Sequence, residues 1–148
     1  MTDTTPTTRL GEVGTVFVPV ADQDRALAFY RDALGFEQRA DFAYGDGSRW
    51  VEVAPPGSPV AIALVPPSEG GSPGGDATHC AITSEDIDAD HAALRARGVD
   101  VDEAVAREGR ARRLLFDTGR DMPDPVPAMF FFRDVDGNRF LIVQRPAR

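Results

Sequence analysis

The strongest constraint in this 148-residue chain is a pattern written twice. The β-branched run "TVFVPV" leads into acids at Asp22 and Asp24, an apolar stripe at Leu27, Tyr30 and Leu34, and then Gly35. Starting 64 positions later, "HCAIT" leads into Ser84, the stripe Ile87, His91 and Leu94, and then Gly98. β-Branched and aromatic residues suit a pleated strand. An acid or serine ahead of a three-and-four spaced stripe predicts a capped amphipathic helix, and glycine fits its left-handed end. Each helix is followed by further strand-like runs. In the first half these are Phe36 to Tyr44, Arg49 to Ala54 and Val60 to Val65. In the second they are Val99 to Ala106, "PAMFFFRD" and "RFLIVQ", the last two folding back around Asp136-Gly137-Asn138. The expected fold is therefore α+β: two βαβββ modules forming a curved mixed-sheet cup with helices on the outer face. The boundaries are a disordered tail over 1–10, module one over about 11–66, a Pro/Gly/Ser linker over about 67–76 and module two over about 77–146. A half-sheet alone leaves its concave face apolar and wet, so the halves are expected to pair.

Composition removes several function classes. The net charge of −8 disfavours nucleic acid, which needs a basic face. All sixteen basic residues are arginine; with no lysine there is no Schiff-base or P-loop chemistry. No apolar run reaches the roughly 20 residues that span a bilayer, so no membrane contact is expected. Cys80 stands alone. It and the polar stretch Met1 to Thr8, which has no signal-peptide core, point to a cytoplasmic protein.

Three stretches carry a likeness to a known family: "VFVPVADQDRALAFYRDALGF", "THCAITSEDIDADHAALRARGVDV" and "MFFFRDVDGNRFLIVQ". Together they make the chain resemble the glyoxalase / bleomycin-resistance / dioxygenase (vicinal oxygen chelate) superfamily across most of residues 13–144. That resemblance implies a homodimer. It also implies metal-ligand positions on strands lining the cup, which fall here on Thr15, Ala63, His79 and Leu141. Only His79 is a donor of the usual kind. Three or four N/O donors are usual for a divalent ion, so the expectation is no metal and no cofactor.

Strand alternation then assigns the cup. Thr15 and Phe17 face inward while Val16, Val18 and Val20 pack on the helix. His79, Ala81 and Thr83 face inward with Leu141 and Val143, leaving Cys80 on the helix side. If Val51 and Val53 face the helix, Trp50 and Glu52 line the cup; the reverse register presents Arg49 instead. The ligand-binding residues are thus Thr15, Phe17, Trp50, Glu52, His79 and Leu141, with one of Phe130 to Phe132. An apolar cavity with few polar fixtures is the usual make-up of a small-molecule site, and Glu52 beside Trp50 suits a cation or amine.

The resulting expectation is a small-molecule binding protein, metal-independent, with a role in drug sequestration or resistance. The alternative is an enzyme, a lyase, isomerase or dioxygenase-like activity with His79 and Glu52 as acid and base, with or without a divalent metal. His79 also reads as a structural histidine, and His91, on the helix stripe, reads as structural. "DVDGN" has its glycine in the wrong place for a calcium loop, "GDGSRW" is no dinucleotide fingerprint and there is no G-x-S-x-G elbow. The long segment 107–127 reads either as a lid over the cup or as a plain surface loop holding the basic cluster Arg110, Arg112 and Arg113.

Overall fold

The computed structural model describes residues 7–45, 47–107 and 127–146. Module one runs β1 (Thr15–Pro19), α1 (Gln23–Ala28), β2 (Glu37–Tyr44), β3 (Ser48–Ala54) and β4 (Ala61–Val65). A short α2 (Pro67–Gly70) sits in the linker. Module two runs β5 (Thr78–Ser84), α3 (Ile87–Ala96), β6 (Asp100–Val101), β7 (Met129–Arg133) and β8 (Arg139–Gln144). Each module makes one four-stranded mixed sheet, ordered β1-β4-β3-β2 and β5-β8-β7-β6. The first strand is parallel to the last, and the other neighbours are antiparallel. The parallel pair is what the crossover helix makes possible.

The helices are too short to be stable alone; burial of their stripes holds them. Asp22 caps α1 by accepting from the Arg25 backbone N–H at 3.0 Å. The helix then widens into a π-helical turn over Phe29–Ala33, closed by the Leu34 N–H on the Phe29 carbonyl. Leu27 and Tyr30 are buried there, and each such side chain contributes about 2 kcal/mol. Gly35 ends the turn at φ 74°. At α3 the cap is Asp86, which accepts from the Ala89 N–H at 3.1 Å. Ser84, the expected cap, is instead buried and donates to the Asp90 carboxylate. The expected strand over Val99 to Ala106 is reduced to two residues and an isolated bridge from Ala106 to Met129.

The two sheets share no ladder. They meet through their helix-side faces, where Val18, Val53 and Tyr30 of module one pack with Ile87, Phe132 and Phe140 of module two in a single core. A buried polar cluster pins this junction. Tyr30 donates to Asp134 at 2.6 Å, and Asn138 Nδ2 donates both to Asp134 and to the Pro19 carbonyl. With the helix-side faces buried against each other, the concave faces lie on the opposite side of each sheet. No helix among the described residues is long and apolar enough to cross a membrane. Most of the expected lid, together with Arg110, Arg112 and Arg113, lies outside the described residues.

Candidate functional site

The concave face of module one is built by strand register. Phe17 pairs with Ala63, Ala63 with Glu52, and Trp50 with Phe42. These positions share one face, and the side chains meet across it. Thr15 Oγ1 donates to Glu52 Oε1 at 3.4 Å. The Phe17 and Trp50 rings stand edge to face at 5.7 Å, an arrangement aromatic quadrupoles favour. Phe17 and Phe42 are each 55 % exposed. The other face holds Val51 and Val53, both fully buried. Arg49 is on that side too, bound to Asp41 through Nε at 2.6 Å and to Asp24 at the start of α1. Of the two registers open from sequence, the one presenting Trp50 and Glu52 is therefore observed. The Arg49 guanidinium holds the Asp41 carboxyl below its usual range. Gln23 adds a second clamp, donating to the carbonyls of Arg49 and Leu64.

Two features of this wall were not assigned from sequence. Phe42 extends the aromatic surface onto β2, and Tyr44 beside it donates to Glu69 of α2, drawing the linker across the end of the sheet. The glutamate, more than burial, raises the Tyr44 phenol above its ordinary value. Phe42 and Tyr44 alternate in "ADFAY", so the parity that found Trp50 would have found them.

Module two places its predicted residues less uniformly. Leu141 pairs with Ala81 and with Phe131, and Thr83 with Val143, all on the concave face as expected. Met129, Phe131 and Leu141 form a small buried cluster of their own. His79 does not join them. Thr78 pairs with Arg139 and Ala81 with Leu141, so β5 carries one extra residue against β8. That bulge leaves both His79 and Cys80 opposite Phe140, and the His79 ring packs against the Phe140 ring at 5.7 Å. Its Nε2 is buried without a hydrogen-bond partner among the described residues. Alternation fails here because a bulge inverts it. Cys80 does face the helix side, where burial pushes its thiol up to about 11. His91 is structural in its contacts: Nε2 meets the Asp102 carbonyl at 2.7 Å and the ring stands on Phe130.

The concave face of module two also carries Arg133 and Arg139, direct partners across β7 and β8. The Arg139 guanidinium lies over the Phe131 ring at 4.4 Å and its Nε donates to Thr78 Oγ1 at 3.2 Å.

Among the described residues, no three His, Cys, Asp or Glu side chains gather at one point. The four positions where a metal would be held in the resembled family carry a hydroxyl at Thr15, a methyl at Ala63, a turned-away imidazole at His79 and an aliphatic chain at Leu141. This donor set does not fit a divalent ion. A groove of about 540 Å³ lies elsewhere, between Val16, the Pro55–Val60 turn and the Cys80–Thr83 edge of β5. Its rim charges, Glu85 and Arg145, are already paired at 2.6 Å. It has none of the aromatic surface of the module-one wall, so the wall is the better candidate for ligand contact.

Comparison with known proteins agrees with this architecture. The model of the Glyoxalase/Bleomycin resistance protein/Dioxygenase superfamily matches residues 12–142. A member of that superfamily from Sphaerobacter thermophilus DSM 20745 superposes with a TM-score of 0.76 at 30 % identity, covering 93 % of this chain and 100 % of the other. TnmS3, an antibiotic binding protein from Streptomyces sp. CB03234, superposes at 0.71 with 30 % identity, covering 95 % and 100 %. Among curated proteins, the uncharacterized protein YetH of Bacillus subtilis (strain 168) is 38 % identical over 55 residues, 37 % of this chain. The matched part spans 46 % of that relative's length.

Proposed function

Because the chain belongs to the Glyoxalase/Bleomycin resistance protein/Dioxygenase superfamily, we propose that it is a metal-independent small-molecule binding protein of that superfamily, holding an aromatic ligand in a sheet cup. The observation that carries this reading is the exposed aromatic wall of Phe17, Trp50 and Phe42 around the Thr15–Glu52 pair. Large exposed apolar patches on a domain mark a binding surface, and a carboxylate set among rings offers an acceptor for a ligand's amine or hydroxyl. Likeness to an antibiotic binding protein at 30 % identity over 95 % of the chain supports sequestration of a drug-like compound as the role. A cytoplasmic location fits a single thiol kept protonated by burial.

The cup is completed by a second copy. The wall of module one is open, and β1 and β5 are each the first strand of their sheet. An enzyme using His79 and Glu52 as acid and base is the weaker reading, because His79 packs on Phe140 instead of turning toward Glu52. Metal independence rests on the donor set at Thr15, Ala63, His79 and Leu141.

Trp50 is the only tryptophan and reports on the wall directly. Titration with polycyclic aromatic and cationic glycopeptide antibiotics should quench its fluorescence saturably for at least one compound, and Phe17→Ala should weaken that compound by about tenfold. An absence of quenching across the panel would overturn the binding role. Near-stoichiometric zinc, nickel, manganese or iron in the purified protein would overturn metal independence.

A further inference from the structure

We propose that Arg133 and Arg139 form an oxyanion subsite on the concave face of module two, taking the carboxylate, sulfonate or phenolate of an aromatic ligand. The proposal rests on the reading of the concave faces as ligand walls and names the ligand class that reading leaves open.

Three observations carry it. First, the two arginines are direct cross-strand partners, Arg133↔Arg139, on the face that holds Phe131 and Leu141. Like charges placed opposite each other on a sheet repel, and both residues are half-buried, where screening by water is reduced. An anion between them removes that repulsion. Second, the Arg139 guanidinium is already held. It lies over Phe131, and Nε is fixed by Thr78 Oγ1, so its terminal N–H groups are set in place before a ligand arrives. A planar fork fixed in this way suits a two-oxygen acceptor.

Third, among the described arginines of the two modules the pair stands apart. Arg31, Arg39, Arg49, Arg107 and Arg145 each reach a carboxylate. Arg25, Arg95 and Arg97 each donate to a backbone carbonyl. Among the described residues neither Arg133 nor Arg139 reaches an acid. Asp100, the register partner of Arg133 on β6, is exposed and makes no ion pair with it. Among the described residues, the acids nearest in sequence and register leave these two cations without an ion pair. With the aromatic wall of module one of the second copy that completes the cup facing the rest of the ligand, the site selects a ring system carrying an acidic group.

Two fluorescent probes that differ by one sulfonate test this: 1-anilinonaphthalene-8-sulfonate and the uncharged N-phenyl-1-naphthylamine. The wild-type protein should bind the sulfonate tighter by about tenfold, and added salt should shrink the difference. Arg133→Gln and Arg139→Gln should each reduce that preference and the double variant should abolish it. Binding of the neutral probe should stay within about twofold throughout, which also verifies that the variants fold. Equal affinity for the two probes in the wild type, or a preference that survives in the double variant, would overturn the subsite while leaving the cup in place. Failure of both probes to bind would overturn the cup reading and the subsite with it.

Discussion

Cys80 illustrates how its surroundings fix a residue's chemistry. Burial on the helix side of β5 pushes its thiol from an ordinary value near 9 up to about 11. The thiolate is the reactive form. Near neutral pH the folded chain therefore holds about a hundredfold less of it, and iodoacetamide should label Cys80 correspondingly more slowly in the native protein than in urea; equal rates would refute the burial. Tyr30 moves in the same direction. Desolvation, then the neighbouring Asp134, raises its phenol well above 10. In both cases the folded state keeps a proton that the unfolded chain gives up. Their contribution is therefore complete below about pH 9 and is lost as pH climbs past 9 for Cys80 and past 10 for Tyr30. Urea midpoints across pH 7 to 11 should fall on the alkaline side, and the fall should be smaller in Tyr30→Phe. Asp134 itself accepts from the Tyr30 hydroxyl, the Asn138 amide and the backbone N–H groups of Asp136 and Asn138. Its replacement by alanine orphans those buried donors, a loss of about 3 kcal/mol, measurable as a shift in urea midpoint at constant slope. A change below 1 kcal/mol would show that the junction does not depend on it.

At the scale of elements, what could be read from sequence follows from periodicity and what could not follows from its interruption. Alternation in "TVFVPV" put Thr15 and Phe17 on one wall because β1 runs regularly across that face, whereas "RWVEVA" left two registers open, and burial of Val51 and Val53 selects the one that presents Trp50 and Glu52. The same rule applied to "THCAIT" misplaced His79, since nothing in those six letters announces the extra residue between Thr78 and Ala81. Parallel ladders form between distant segments, so their bulges leave little local signature. The cap at Asp86 was missed for a related reason: serine and aspartate are comparable caps, and packing of Ser84 into the core decides between them. Arg133 and Arg139 were passed over because a charge beside a hairpin turn reads as solvated until the strand pairing sets the two opposite each other. The hairpin itself was legible from Asp136-Gly137-Asn138. Gly137 sits at φ 79°, and a Cβ there would approach Gly74 of the linker at 3.8 Å. Space is adequate but the conformation is not, so Gly137→Ala should cost about 1 kcal/mol or slightly more. Gly11→Ala, in open surroundings without the positive φ, should cost almost nothing. Thermal unfolding of the two variants separates them, and equal melting temperatures would show that the turn tolerates a side chain.

For the whole molecule, the two sheets use their helix-side faces on each other, and Met129, Phe131 and Leu141 on the other face of module two are buried as well, which leaves the exposed module-one wall and the outer edges of β1 and β5 for another contact. Exposed edges recruit strands, and the half-exposed rings of Phe17 and Phe42 are hydrophobic area that water covers poorly. In the dimer proposed above, a second copy related by a two-fold axis supplies both at once, setting module one of one chain beside module two of its partner. Sedimentation at micromolar concentration should then give twice the 16.0 kDa of the chain; a species of 16.0 kDa would rule the arrangement out. Sharing of the cup between chains has a sharper consequence. Phe17→Glu sets a negative charge on the aromatic wall, and the double Arg133→Gln, Arg139→Gln variant empties the opposite one, so each homodimer should lose its selectivity for the aromatic sulfonate. Mixing the two proteins under conditions of subunit exchange builds mixed dimers with one cup doubly altered and the other wholly wild type. High-affinity binding should return in about a quarter of the sites, the statistical share for random reassortment of two equally abundant chains. If each chain instead closes its own cup, no combination of the two variants contains an intact one, and mixing restores nothing.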